Sequence, residues 1–540
     1  MALTGKKIES RDIAALLSVL LVILVVEFFA AQRIMLPSDS RGRDYHWDGT
    51  YYMRYARSID KMLFAREIDS YSLTRIFPSS LVHLGFRIVG KDFYALDQAR
   101  MAGQRAGSEP ILFGFVILNG IAIFLATLAW IDIARRMALD RFQLILGTVA
   151  FYVNFCFLKW NSFHPMGTDV TAFSLSMMMI SRYLAQAPIS LFFLSLCGAF
   201  TWPTLVFTGA ILLALPPYRQ LHTPAADAAV AGSHATALLW VSRGLALALA
   251  VLATVWAAQY GLRYTTWGRA GAALSFAIVG LYVCFASAPL LAALPDVRNI
   301  FVERRRYLVQ AAIAAALLAV VGILFYLLAS GKTARSSFMD FVRTTFIESV
   351  RLPGIFLIAH FAFFGPIVAL VVLKWTAAGA IARRLGPGFI VAALVSVPVA
   401  LMSESRQLMG NLAFFVIPVI AAVKVGTSER LFLVIFVLIA LALSRVWVVF
   451  DLDALAYVVA EYRNYPWQWF FGAMGPRMTV NVYLVHVAAF FATLLLLYVV
   501  MRVGARSGAA HTDPKSEALE PPPPAAEHTA STDRRTATTT

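Results

Sequence analysis

Apolar stretches long enough to cross a bilayer recur along almost the whole of this 540-residue chain, separated by short charged loops. A helix needs about 20 apolar residues to span the hydrocarbon core. Backbone polar groups inside lipid must bond within their own segment, so these stretches are helices. Composition agrees: 60% of residues are hydrophobic, 14% are charged, and the mean hydropathy is +0.72, well beyond a soluble domain. The expected fold is all-α, a polytopic transmembrane helix bundle of about 13 or 14 spans. The net charge of +16 follows from basic residues gathering on the cytoplasmic side. No basic patch interleaved with aromatics occurs in a soluble stretch, so nucleic acid is excluded as a partner. Cys156, Cys197 and Cys284 lie dispersed in apolar segments and suggest neither a disulfide framework nor a metal site.

Charge sets the expected topology. The first apolar run, Ile13 to Ala31, follows Lys6, Lys7 and Arg11; it is longer than a signal peptide's apolar core and reads as an uncleaved anchor. With the amino terminus inside, Arg135/Arg136, Arg219, Arg298, Arg304 to Arg306, Arg383/Arg384 and Arg502/Arg506 all fall on the same side only if residues 189–215, broken by "TWP" at 201–203, form two short helices. That gives 14 crossings with both termini cytoplasmic, in a cell membrane of the bacterial inner-membrane kind. The short pair would have to be buried in protein. Residues 1–505 make the membrane domain, 32–110 the first outer loop, and 506–540, rich in Pro, Ser, Thr and charge, a disordered cytoplasmic tail.

The outer loops hold most of the residues capable of chemistry. "TYYMRYARSIDKMLF" (50–64) places Tyr52, Tyr55, Ile59 and Met62/Leu63 on one face and Arg54, Arg57 and Lys61 on the other, the pattern of an amphipathic surface helix. "RIFPSSLVHLGFRIVG" (75–90) supplies a second and "SSFMDFVRTTFIESV" (336–350) a weaker third. Asp44 and Asp48 sit in "RDYHWDGTYY" (43–52). Asp48 is placed to cap the helix that starts at Gly49 or Thr50, a role compatible with facing a cleft. Cation candidates on the same side are Arg75, Arg343, Arg351 and Arg406. Glu404 and Arg406 lie between two apolar spans, where ionised groups are expensive unless they face a cavity or each other; they either end helices at the water boundary or build a site. His164 is a solvated loop histidine or a ligand contact, and Asp169 begins the next span as an N-cap or as a site acid.

"DGTYYMRYA" (48–56), then "TRIFPSSL" (74–81), "NSFHPMGTDVTAF" (161–173) and "AFTWPTLVFTGAILLAL" (199–215), occurring in that order behind an amino-terminal anchor, resemble segments of the GT-C superfamily of integral-membrane glycosyltransferases. The resemblance covers residues 1 to about 505. It implies an extracytoplasmic active site that takes a sugar from a polyprenyl-phosphate-linked donor to a glycan or lipid acceptor, with membrane lipids around it. It also implies that an acid of the first outer loop is the catalytic carboxylate, acting as base or by holding a divalent cation. Asp48 matches that position best and Asp44 second, while Arg406, Glu404, His164, Arg75, Asp169 and Arg343 are the substrate-binding candidates. The acids here are spread over Asp39, Asp44 and Asp48 instead of being adjacent. Competing readings are a lipid-linked sugar flippase or transporter, which would place ionisable groups at mid-membrane, and a membrane acyltransferase or glycan ligase centred on His164.

Overall fold

The computed structural model describes residues 48–90, 109–217, 266–294, 304–331, 338–448 and 472–510, with Gly244 and positions among 8–25. Asp44, Asp39, the aromatic stretch before Phe471 and the tail beyond Ala510 lie outside the described residues. The described chain is all-α, a multi-pass membrane bundle with no strand among the described residues.

Two surface helices come first, α1 (Gly49–Phe64) and α2 (Phe77–Ile88). The bundle follows as α3 (Glu109–Arg136), α4 (Arg141–Tyr152), α5 (Asp169–Leu184), α6 (Pro188–Ala199), α7 (Leu205–Ala214), α8 (Gly268–Ala293) and α9 (Arg304–Leu328). It continues with α10 (Phe338–Val350), α11 (Ile355–Phe364), α12 (Ile367–Leu385), α13 (Pro387–Val399), α14 (Leu412–Ala422), α15 (Glu429–Ser444) and α16 (Val480–Ala510). Among the described residues five helices are long and apolar enough to cross a membrane, or seven if two bent pairs each count as one span. Far fewer of the 13 or 14 expected crossings are therefore single long helices. Four more apolar helices, α6, α7, α13 and α14, have 10–17 residues each. In α7, α13 and α14 most side chains are buried in protein, which makes their shortness tolerable, whereas α6 departs from the expected burial, with Ile189 and Phe193 exposed.

Residues 189–215 form two helices, as the charge pattern required. Pro203 lies within the break between Ala199 and Leu205, where a proline cannot continue a helix. The two packed arms approach closely: a Cβ on Gly209 would lie 2.2 Å from Ser195 Oγ, so only glycine fits there. The turn of this hairpin touches the segment before α2, with Phe77 N–H donating to Phe200 O at 2.8 Å. Its other end is held by Arg306, which donates to Pro217 O at 2.9 Å.

The surface helices obey their amphipathic pattern. Tyr52, Tyr55, Ile59 and Met62 are buried, while Arg54 and Lys61 face outward. α1 packs on α2, and α2 on the start of α3. Cross-links then gather the remaining loops at the same end of the bundle. Ser330 N–H donates to Ile68 O at 2.7 Å, Gly475 N–H to Ser403 O at 3.0 Å, and Arg351 to Pro476 O at 2.6 Å. At the opposite end stand the basic clusters: Arg136 and Arg182 on Asp132, Arg306 on Pro217 O, and Arg383 on Ala292 O.

Candidate active site

Asp48 is the residue before α1, at its N-cap, yet its side chain makes no capping bond. The carboxylate turns instead to two guanidinium groups: Arg75 Nη1 and Arg406 Nη2 each lie 3.7 Å from the same oxygen, Oδ2. The capping expectation is corrected by this placement, since two cations outbid one backbone N–H for the charge.

Arg75 follows the single helical turn Ser70–Leu73, which Asp69 caps by accepting from Ser72 N–H. The residue is 4% exposed and its guanidinium lies 4.7 Å from the Trp202 ring centre and 4.9 Å from that of Tyr71. Stacking on aromatic faces favours a desolvated arginine. Its polar edge is poorly occupied: Nη1 reaches the Tyr52 hydroxyl only at 3.4 Å, and Nε has no hydrogen-bond partner among the described residues. Burial pulls the Arg75 pKa down, but the phenols of Tyr52 and Tyr71 outweigh it and hold it above its ordinary range. Burial likewise pushes the Tyr52 hydroxyl up to about 12, so it stays protonated and can donate as well as accept.

Arg406 arrives from the turn Ser405–Leu408 between α13 and α14. Its Nε donates to Glu404 Oε1, and Gln407 Nε2 donates to the other carboxylate oxygen at 3.3 Å. Burial opposes ionisation of Glu404, but Arg406 with Gln407 and Arg75 overcomes it and holds this carboxyl below its ordinary value. Burial pulls Arg406 down too, and Glu404, Asp169 and Asp48 together raise it. Both cations therefore stay charged in a largely desolvated setting. His360 anchors the turn from beneath: its Nε2–H donates to Ala400 O at 2.8 Å, while Nδ1 lies 2.9 Å from Ser405 Oγ.

A third wall comes from residues 156–169. Cys156–Trp160 is a π-helical turn, an irregularity frequent at functional sites. It points Trp160 at the Asp169 carboxylate, with Nε1–H donating to Oδ2 at 3.3 Å. Asp169 is not the N-cap expected of it; Thr168 holds that position and Asp169 is the first helical residue. The His164 ring stacks on Trp160 with centroids 5.3 Å apart and planes 12° from parallel. It also abuts the start of α1, since a Cβ on Gly49 would lie 3.1 Å from His164 Nε2. On Gly167 it would lie 2.9 Å from Asp169 Oδ2. The two glycines thus let imidazole, carboxylate and helix start close together.

The structure brings Asp48, Arg75, Glu404, Arg406, His164 and Asp169 to one end of the bundle. Arg343 does not join their cluster. It stands exposed on α10 and makes no ion pair with the site carboxylates among the described residues. Sequence reasoning missed Tyr52, Tyr71, Trp160 and Trp202 as site walls, and Glu348, which accepts from Ser403 Oγ at 3.0 Å. Trp202 was legible only as part of the helix break, yet it joins two loops: it backs Arg75 and meets Gly410, where a Cβ would lie 3.2 Å from its ring. Thr204, two residues on, donates to Asn411 Oδ1 at 2.9 Å.

Among the described residues no group of three or more His, Cys, Asp or Glu side chains is placed to hold a metal ion. The acids instead face cations or the Trp160 N–H. A crevice of about 580 Å³ opens elsewhere, between α8 and α12 near Pro289 and Arg383; it is lined by apolar residues such as Leu281 and Phe285 and contains no carboxylate. It lies at the end away from Asp48 and lacks the groups for bond-making chemistry.

Comparison with known proteins finds no match for this chain. That holds for family models, curated proteins and solved structures alike.

What the arrangement can do chemically follows from its charges. Two largely buried guanidinium groups face one carboxylate among aromatic side chains, and Arg75 Nε has no hydrogen-bond partner among the described residues. Paired guanidinium groups are able to hold an oxyanion, and a carboxylate beside them is able to act as an acid–base group.

Proposed function

We propose that this chain is a membrane glycosyltransferase of the GT-C type, moving a sugar from a polyprenyl-phosphate-linked donor to an acceptor hydroxyl at the extracytoplasmic face. The single observation that carries the reading is the convergence of Arg75 and Arg406, from loops far apart in sequence, on one oxygen of Asp48. In this reading both termini are cytoplasmic, the protein lies in the cell membrane, and the end bearing Asp48 faces outward, opposite the basic clusters.

The chemistry runs as one displacement. The acceptor oxygen forms a bond to the anomeric carbon while the bond from that carbon to the phosphate oxygen breaks. The acceptor hydroxyl's proton passes to Asp48, a contribution of roughly 10²- to 10⁴-fold for a positioned general base. The electron pair of the broken bond leaves on the polyprenyl phosphate, where charge develops on oxygens held by Arg75 and Arg406. Burial strengthens these contacts because little water screens them. Glu404 fixes the Arg406 guanidinium plane through Nε and leaves Nη2 for the phosphate. His164 lies beside Gly49, and Asp169 beside Gly167, on the side left for the sugar or its acceptor.

The test is turnover by the full-length protein in nanodiscs, supplied with a polyprenyl-phosphate sugar extract and an envelope-glycan acceptor fraction. Free polyprenyl phosphate is the readout. Release that depends on acceptor and is lost in Asp48→Asn supports the assignment, whereas undiminished release by that variant removes Asp48 from the chemistry. Movement of intact donor between leaflets without release would favour the transporter class.

A further inference from the structure

Resting on the oxyanion reading of this site, we infer that Asp48 occupies the ligand's place on the two arginines in the empty enzyme, and that a bound phosphate displaces it. The observation is geometric. A carboxylate meets Arg75 Nη1 and Arg406 Nη2 with one and the same oxygen, at 3.7 Å from each. That is the position a non-bridging phosphate oxygen would take between two cations. Both contacts are long for charge-assisted hydrogen bonds, which run at about 2.7–2.9 Å, so the carboxylate balances the charges without satisfying the donors.

The neighbours support a temporary occupant. Arg75 is 4% exposed, its guanidinium lies against the rings of Trp202 and Tyr71, and its Nε has no hydrogen-bond partner among the described residues. A buried guanidinium left this short of acceptors is costly unless one arrives. Arg406 differs, being held from the other side by Glu404, so the clamp persists when Asp48 leaves. Asp48 is free to move: it stands at the first turn of α1 without a capping bond, and its side chain is 29% exposed.

Displacement orders the reaction. While the clamp is empty, the Asp48 lone pairs are directed at cations. When a phosphate takes both arginines, like charge repels the carboxylate from the clamp and leaves it facing the acceptor side. The donor therefore binds first, and the base reaches a hydroxyl only with donor in place.

Farnesyl phosphate binding to the full chain in detergent, measured by calorimetry, tests this against the intuitive outcome. Asp48→Asn is expected to tighten binding by about tenfold, or about 1.4 kcal/mol, while abolishing turnover. Glu404→Gln removes one charge from the same neighbourhood without vacating the shared position, and is expected to change affinity much less. Asp48→Ser serves if the asparagine variant fails to fold. Equal or weaker binding by the Asp48 variants overturns the displacement while leaving the oxyanion site standing, and equal tightening by Glu404→Gln reduces the effect to net charge and overturns it as well. Absence of binding in both wild type and the Asp48 variants overturns the oxyanion reading itself, and the displacement with it.

Discussion

Arg75 illustrates how far single residues carry the account. A lysine there would keep the charge but lose the flat guanidinium that lies against Trp202 and Tyr71. Arg75→Lys is therefore expected to lower turnover at least about tenfold, with KM for the donor rising more than kcat falls, as steady-state kinetics would show. Glu404 gives a prediction about pH. Its folded-state pKa lies below the ordinary value of 4.5, so its ion pair stabilises the fold above that value and the stabilisation is lost as pH falls through the depressed one. Thermal melts of wild type should therefore weaken on acidification below about pH 4.5, and Glu404→Gln should flatten that part of the profile. Asp48, Glu404 and Arg406 were legible because ionised groups beside apolar spans need a reason to be there. Tyr52 was legible only as the apolar face of a helix, and Glu348 was hidden in an amphipathic pattern. Their partners belong to other loops, and no local periodicity encodes such meetings.

At the level of elements, helix existence and amphipathic faces followed from the sequence because both rest on spacing: α1 buries the side chains its period selects. The break at residues 201–203 was likewise readable from Pro203 and from charge. What spacing does not reveal is irregular backbone, such as the π-helical turn at Cys156–Trp160 or the offset that makes Thr168, and not Asp169, the cap. Those depend on tertiary contacts that override local preference. The α6–α7 hairpin offers the sharpest element-scale prediction. Gly209→Leu would drive a side chain into Ser195; overpacking of this kind destabilises by about 1–3 kcal/mol, and the loss should appear as a lower Tm of the detergent-solubilised protein. Because the turn of this hairpin supports Arg75 through Trp202, activity should fall along with stability.

Across the whole molecule, successive helices carry the chain between two ends with different chemistry: one gathers Asp48, Arg75, Asp169, Glu404 and Arg406, the other Arg136, Arg306 and Arg383. If the orientation proposed from charge is right, single cysteines placed at Phe64 or Arg343 in a cysteine-free background should react with a membrane-impermeant maleimide on intact spheroplasts. One at Arg384 should react only after permeabilisation. The central claim is that Asp48 and the two arginines act together on a lipid-linked sugar. It is tested most directly by mass spectrometry of lipid-linked sugars and envelope glycans from cells that lack this protein and are complemented with wild type, Asp48→Asn or Arg406→Ala. The account predicts that both variants match the deletion, accumulating one polyprenyl-phosphate sugar and lacking one glycan residue; full restoration of that glycan by Asp48→Asn would contradict it.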